Sequence, residues 1–270
     1  MVHLNEKILR DLQLIELELL LELDRICRKC GIRYTIIGGT LIGAVRNGGF
    51  IPWDDDADVA MLRPEYEKFR EVCENELDNS KFYFQDHKNT SGYRWGYGKL
   101  RRKNTLFLRE YQEHMPYEQG VFIDIFPHDG VPECYPARYI HNLHCTLIRK
   151  IFWSAVGMIS DKRVLMRVIF RLLNKIPEYK VKIHYNKLIE KSNQKDFQLV
   201  RALMFPTLNH KKYGYKKSWF LNNTELEFEG HRFMVMAGYK EYLEDAYGDY
   251  MTLPPINQRK IHPASDIKLL

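Results

Sequence analysis

Trp53-Asp54-Asp55-Asp56-Ala57-Asp58-Val59 places four carboxylates in five positions, between a glycine-rich turn and an apolar stretch ending at Met61. Charge of one sign at that density repels itself, so a folded chain that holds it calls for a compensating cation. On an extended segment side chains alternate, which sets Asp56 and Asp58 on one face about 7 Å apart. Oxygen ligands at that spacing suit one or two hard divalent ions, Mg²⁺ or Mn²⁺. Two further features fall in line with the acids. Gly38-Gly39 follows the short β-branched segment Tyr34–Ile37, and Asp124 stands alone in the apolar run Gly120–Pro127. Glycines let backbone amides close on a phosphate with no Cβ in the way, and a helix after them aims its positive N-terminus there. Metal held by Asp56, Asp58 and Asp124 would neutralise phosphate oxygens and favour in-line displacement at phosphorus. Arg46, Lys99 and Arg101 are the candidate phosphate clamps, with Lys99 and Arg101 on one strand face.

These residues need a scaffold. Leu4, Ile8, Leu12, Ile15, Leu19 and Ile26 recur at near-helical spacing, so 4–30 is expected as one long helix closed by Gly31. A strand over 34–37 should stop at Gly38-Gly39, with Thr40 as N-cap of a short helix through Arg46. A second strand should carry the acids from Ile51 to Met61, and Pro64 should open a helix over 64–77. Strand-like segments follow at 82–85, 93–101, 105–110 and 120–127. Helix is expected over most of 138–175 and 180–204, then a strand or hairpin around Gly230 and a helix over 238–247. The layout is α+β: a mixed β-sheet core flanked by helices over 1–135, then a mainly helical lobe over 136–270, the two forming one continuous unit.

Composition bounds the function. The 270 residues are 45% hydrophobic and 28% charged, which describes a globular chain and excludes a disordered one. The net charge of +6 is uneven. Residues 138–175 hold eight Lys/Arg against the single acid Asp161, a local +7, which points to an anionic surface or polymer. The first ten residues lack the basic and apolar pattern of a secretory signal, and Ile151–Ile159 is too short to span a bilayer. Five cysteines without framework spacing fit a reducing cytoplasm. Cys27 and Cys30, at the end of a helical pattern, read as packing residues.

The motifs also carry a resemblance. Tyr34–Arg46 (YTIIGGTLIGAVR) and Gly49–Asp58 (GFIPWDDDAD) resemble the LicD family, bacterial phosphocholine transferases distantly related to the fukutins. The similarity continues in Phe122–Pro132 (FIDIFPHDGVP) and Tyr247–Pro255 (YGDYMTLPP), and runs from about residue 8 to 265. It implies a nucleotidyltransferase-like fold and transfer of a substituted phosphate, typically phosphocholine from CDP-choline or a related CDP-alcohol. The acceptor would be a sugar of a cell-surface glycan precursor such as teichoic acid or lipopolysaccharide. It also implies Mg²⁺ on Asp56, Asp58 and Asp124, with Gly38, Gly39, Thr40 and Arg46 on the phosphates, in a cytoplasmic enzyme whose partner is no nucleic acid. Asn47 departs from the family, where His commonly follows the arginine.

Plainer readings stand beside these. An acidic run can be a solvated loop, although no EF-hand glycine follows this one. Asp124 could be a buried acid paired with a cation. Cys134, His141, His144 and Cys145 have zinc-like composition in no known zinc spacing, and packing accounts for them. The arginine-rich segment Val164–Leu173 could lie on an anionic membrane at the inner face or bind a charged glycan, or pack its apolar side on the core with its arginines in water. His262, in Ile261-His262-Pro263, could contact substrate, although a lone histidine in a tail reads more simply as surface. A choline group would call for aromatic rings, for which Tyr93, Trp95, Tyr97, Tyr111 and Tyr117 are available. The alternatives for the acidic site are a metal-dependent glycosyltransferase, a nucleotidyltransferase and a non-catalytic glycan-binding protein.

Overall fold

A computed structural model describes residues 4–206, 213–259 and 261–270. Glu6–Cys30 forms α1, capped by Asn5, whose Oδ1 accepts from Ile8 N–H at 2.9 Å, and closed by Gly31 at φ +61°. Its stripe of Leu12, Leu19, Leu20, Leu23 and Ile26 is fully buried, packed across the sheet. Thr35–Ile36 (β1) leads into Gly38–Asn47 (α2), and Asp58–Leu62 (β2) into Arg63–Glu76 (α3). Then come Phe82–Gln85 (β3), Gly98–Arg102 (β4), Leu106–Arg109 (β5) and Phe122–Val131 (β6). Three helices follow: Tyr135–Ser160 (α4), Val164–Leu173 (α5) and Glu178–Asn193 (α6). Leu199–Arg201 (β7), Tyr215–Lys216 (β8), Asn223–Phe228 (β9), His231–Met236 (β10), Tyr239–Tyr247 (α7) and Ala264–Lys268 (β11) complete the order.

The main sheet is mixed, in the order β1-β2-β6-β4-β3, with β7 also on β6 and β8 on β7. Strand β6 is its spine, ten residues that are all buried. It runs parallel to β2 and antiparallel to β4 over Phe122–Ile125, then antiparallel to β7 over Asp129–Val131. Pro127, which has no N–H to give, lies between these last two ladders, where no strand asks it for a bond. Arg63 Nε and Nη2 close on Asp129 at 2.7 and 2.6 Å, a buried bidentate pair that ties α3 to the spine.

The α+β class is as expected, and several boundaries differ for physical reasons. Helix α2 starts at Gly38, not after Thr40. The Thr40 hydroxyl accepts from Asp58 N–H at 2.9 Å, joining α2 to β2 instead of capping the helix. Strand β2 begins only at Asp58, because Gln13 of α1 donates to the carbonyls of Ile51 and Asp54 and holds the preceding acids in a loop. Residues 93–97 are irregular, since Tyr93 folds back to donate its hydroxyl to Tyr97 O at 3.0 Å. The expected helix over 180–204 ends at Asn193 and gives way to β7. The second half is therefore helical over α4–α6 and again at α7, with strands between and after them. Its later strands return to the first half, β7 to β6 and β11 to β5.

Candidate active site

The register of the sheet assembles the centre. Asp58 on β2 stands directly opposite Asp124 on β6, and Asp124 directly opposite Lys99 on β4, so the three form one row across adjacent strands. Lys99 forms a buried ion pair with Asp124 Oδ1 and lies 3.4 Å from the centroid of the Phe122 ring. Burial pulls the Lys99 ammonium down to about 7, with Asp124 opposing. Arg101 shares that strand, but its guanidinium is spent inside the protein, donating to Gln85 Oε1 and Gly120 O at 2.7 Å each.

Above this row the acidic loop folds onto the first turn of α2. Gly38 is at φ +62°, and a Cβ there would lie 3.0 Å from Asp58 Oδ2. A Cβ on Gly39 would come within 2.2 Å of Asp54 Oδ2, so only glycine admits that carboxylate. The space over the glycines, expected to receive phosphate, is thus shared with two carboxylates. Arg46 donates to Asn47 Oδ1 and Tyr250 O, and its Nη2 is buried without a partner among the described residues.

Negative charge is crowded here beyond what the protein's own cations offset. Burial first, then Asp56 and Asp55, push Asp54 up to about 8, against the pull of Arg46. Asp58 is pushed well up by burial and by Asp56, Asp124 and Asp54. Asp56 rises by burial, opposed by His262 and Arg109. One participant escaped the sequence reading, and another was read there as more simply a surface residue. Glu16 of α1 is buried against the cluster and raised by burial and by all four loop acids, and its Oε2 has no partner among the described residues. Its signal was a carboxylate inside the apolar stripe of α1. His262 is not a bystander of the tail. Its backbone N–H donates to Asp55 Oδ2 at 2.7 Å, and its Nδ1 lies 3.1 Å from Asp55 and 3.3 Å from Asp56.

Asp54 Oδ2, buried and without a hydrogen-bond partner among the described residues, and an all-oxygen donor set fit a hard divalent cation. Among the described residues no three His, Cys, Asp or Glu side chains are gathered so as to hold a metal as they stand. Lys99 and His262 meet Asp124 and Asp56 instead.

Beside the acids lies a cavity of about 360 Å³ whose lining includes Gly38 and Asp58 at one end and Phe126, Tyr213, Tyr215, Tyr242 and Tyr247 along its walls. Tyr215 and Tyr242 meet at 4.7 Å between ring centroids. Asp245 and Arg201 bring opposite charges to the same lining, and Arg201 Nη1 is buried without a partner among the described residues. The rings available from the sequence lie elsewhere. Tyr93, Trp95 and Tyr117 are packed together, with Trp95 Nε1 donating to the Tyr117 hydroxyl at 3.0 Å, and Tyr111 is exposed. Tyr97 meets Phe126 at 4.7 Å between ring centroids, tilted by 43°, and is not itself in the lining. The zinc-like group resolves as packing: His141 bonds the Tyr213 hydroxyl at 2.6 Å and Ser192 at 3.1 Å, while Cys134 is exposed.

Comparison with known proteins agrees with this geometry. The family described as LicD/FKTN/FKRP, nucleotidyltransferase domain, matches residues 31–151, which contain every acid of the row and loop. The lipopolysaccharide cholinephosphotransferase LicD of Haemophilus influenzae is 31% identical over 269 residues, covering 97% of this chain and 98% of that protein. An uncharacterised protein of Rickettsia prowazekii is 26% identical over 127 residues, 47% of this chain and 43% of its own.

Proposed function

The chain belongs to the LicD family, and from that premise we propose that it is a phosphotransferase moving phosphocholine from CDP-choline to a sugar hydroxyl of lipopolysaccharide or a related cell-surface glycan precursor. The observation that carries this reading is the aromatic cavity beside Asp58 and the α2 N-terminus. A quaternary ammonium is held by ring faces through cation–π attraction, and Tyr213, Tyr215, Tyr242 and Tyr247 supply them. The Arg201 guanidinium, with a donor to spare, offers the pyrophosphate a partner in the same space.

The nucleotidyltransferase-like reading assigns Mg²⁺ or Mn²⁺ to Asp56, Asp58 and Asp124. Bound there, the ion would neutralise phosphate oxygens of the donor. The chain's own groups would do the rest. Gly38, Gly39 and Thr40 bring the first turn of α2 against the phosphates, and Arg46 neutralises the departing CMP. The acceptor oxygen attacks the choline-bearing phosphorus, the bond to the CMP oxygen breaks, and CMP leaves with that electron pair. Asp124 takes the acceptor proton, its carboxylate kept in place by Lys99. Lys99 thus serves as a positioning residue, and Arg101, which donates from Nε to Gln85 and from Nη1 to Gly120, supports the strand.

Incubation with a panel of CDP-alcohols, Mg²⁺ and lipopolysaccharide, scored by CMP release, tests the proposal. CMP release with CDP-choline is expected. Pyrophosphate release from a nucleoside triphosphate, with no CMP from any CDP-alcohol, would replace this reading with nucleotidyl transfer.

A further inference from the structure

Helix α5 separates its aliphatic residues from its cations. At roughly 100° per residue, Val164, Leu165, Val168, Ile169 and Leu172 fall within an arc of about 140°, with Arg163, Arg167 and Arg171 along one border. The arc faces outward: all five are exposed, Leu165 by 72% and Leu172 by 60%. What moors the helix lies on its other side. Phe170 is buried against α4 at Gly157, where a Cβ would come within 2.6 Å of the ring. Asn174, at the C-cap, accepts from Arg94 at 2.7 Å. These contacts set the rotation of α5, and the sequence reading in which its apolar side packs on the core does not hold. An exposed face of this kind marks an interaction site.

Charge selects the occupant. Residues 162–175 carry Lys162, Arg163, Arg167, Arg171 and Lys175 and no acid. The neighbouring acid, Asp161, is already held by Arg163 at 3.0 Å. In an isologous contact a second copy would set these five cations against the same five, which repels it. A bilayer with anionic head groups satisfies both parts of the helix, aliphatic side chains entering the acyl boundary while the arginines reach the phosphates. We propose that α5 docks the protein on an anionic phospholipid surface, lying in its plane. No helix among the described residues is long and apolar enough to cross a membrane, so the contact is peripheral. The inference stands on α5 alone and does not depend on the transfer reaction.

Co-sedimentation of the full chain with vesicles of phosphatidylglycerol and phosphatidylcholine, against phosphatidylcholine alone, tests it. Binding is expected on the anionic vesicles and is weakened by salt. Each cation near such a surface changes partitioning on the order of fivefold, so Arg167→Gln with Arg171→Gln should weaken it roughly 20-fold. Leu165→Gln with Leu172→Gln keeps helix propensity and should lower binding by at least about tenfold. Unchanged melting temperatures show that both variants are folded. Equal binding to the two vesicle types, or undiminished binding by the leucine variant, overturns the proposal. So does a stable dimer that the leucine variant dissolves, seen by light scattering.

Discussion

Asp58→Asn should make the protein more stable while abolishing its turnover. Asp58 lies opposite Asp124 in the parallel β2–β6 register, on strands about 4.8 Å apart. Two full charges about 5 Å apart repel by roughly 3 kcal/mol at an effective dielectric of 20. Lys99 on Asp124 cancels part of that repulsion, and burial with the neighbouring acids pushes Asp58 upward, which relieves more of it. A net gain of about 1–2 kcal/mol remains, which for a chain of this size raises the melting temperature by roughly 2–8 °C. The amide keeps the shape of the side chain, so packing is not disturbed. The assay is thermal unfolding in chelator and again in Mg²⁺, paired with CMP release. Wild type should gain stability from Mg²⁺, and the variant should gain little. An Asp58→Asn protein less stable than wild type in chelator, or one that still turns over, would refute the view of the acids as a self-repelling cation site.

Other perturbations bear on separate parts of the account. Tyr242→Leu, which removes a ring from the cavity wall, should raise KM for CDP-choline roughly 5–30-fold by loss of cation–π attraction, with a neutral CDP-alcohol little affected. Arg63→Leu strands the buried Asp129 carboxylate and should cost about 3–5 kcal/mol in urea unfolding, whatever the donor. Burial pulls His128 down to about 4 in the fold, whereas its unfolded value is near 6.5. The unfolded chain therefore binds the extra proton, and stability is lost as pH falls from about 6.5 towards 4, by about 3 kcal/mol at the limit. His128→Gln should flatten that part of the unfolding profile, and an unchanged profile would show that His128 is not its source.

The centre was legible in the sequence where chemistry restricts residue type within a short window. Gly39 has to be glycine for Asp54 to approach, and four carboxylates within five positions stand out in any chain, so 34–58 identified itself. Asp124 could be found because an acid inside an otherwise apolar strand is costly. What escaped depends on long-range register. His262 meets Asp55 across 207 residues, and nothing near His262 announces it. The cavity draws its rings from β6, β8, α7 and the segment before β8, whereas a surplus of tyrosines near 93–117 pointed elsewhere. Lys99 and Arg101 were rightly placed on one strand, but alternation alone does not tell which cation finds an internal partner. The start of β2 was misjudged for a related reason, since Gln13, far back on α1, holds the acidic loop out of the strand. Helix α5 could be recognised as amphipathic, while its outward rotation follows from the fit of Phe170 onto Gly157.

The central claim is that the choline-bearing phosphate, and not the nucleotide, is what moves. Wild-type protein given Mg²⁺, lipopolysaccharide and CDP-choline labelled separately in the choline and the cytidine tests it in one product analysis. The account predicts choline label on the glycan and cytidine label released as CMP, with neither change in Asp58→Asn. Cytidine label on the glycan, or choline label only as free phosphocholine in the presence of competent acceptor, would contradict it.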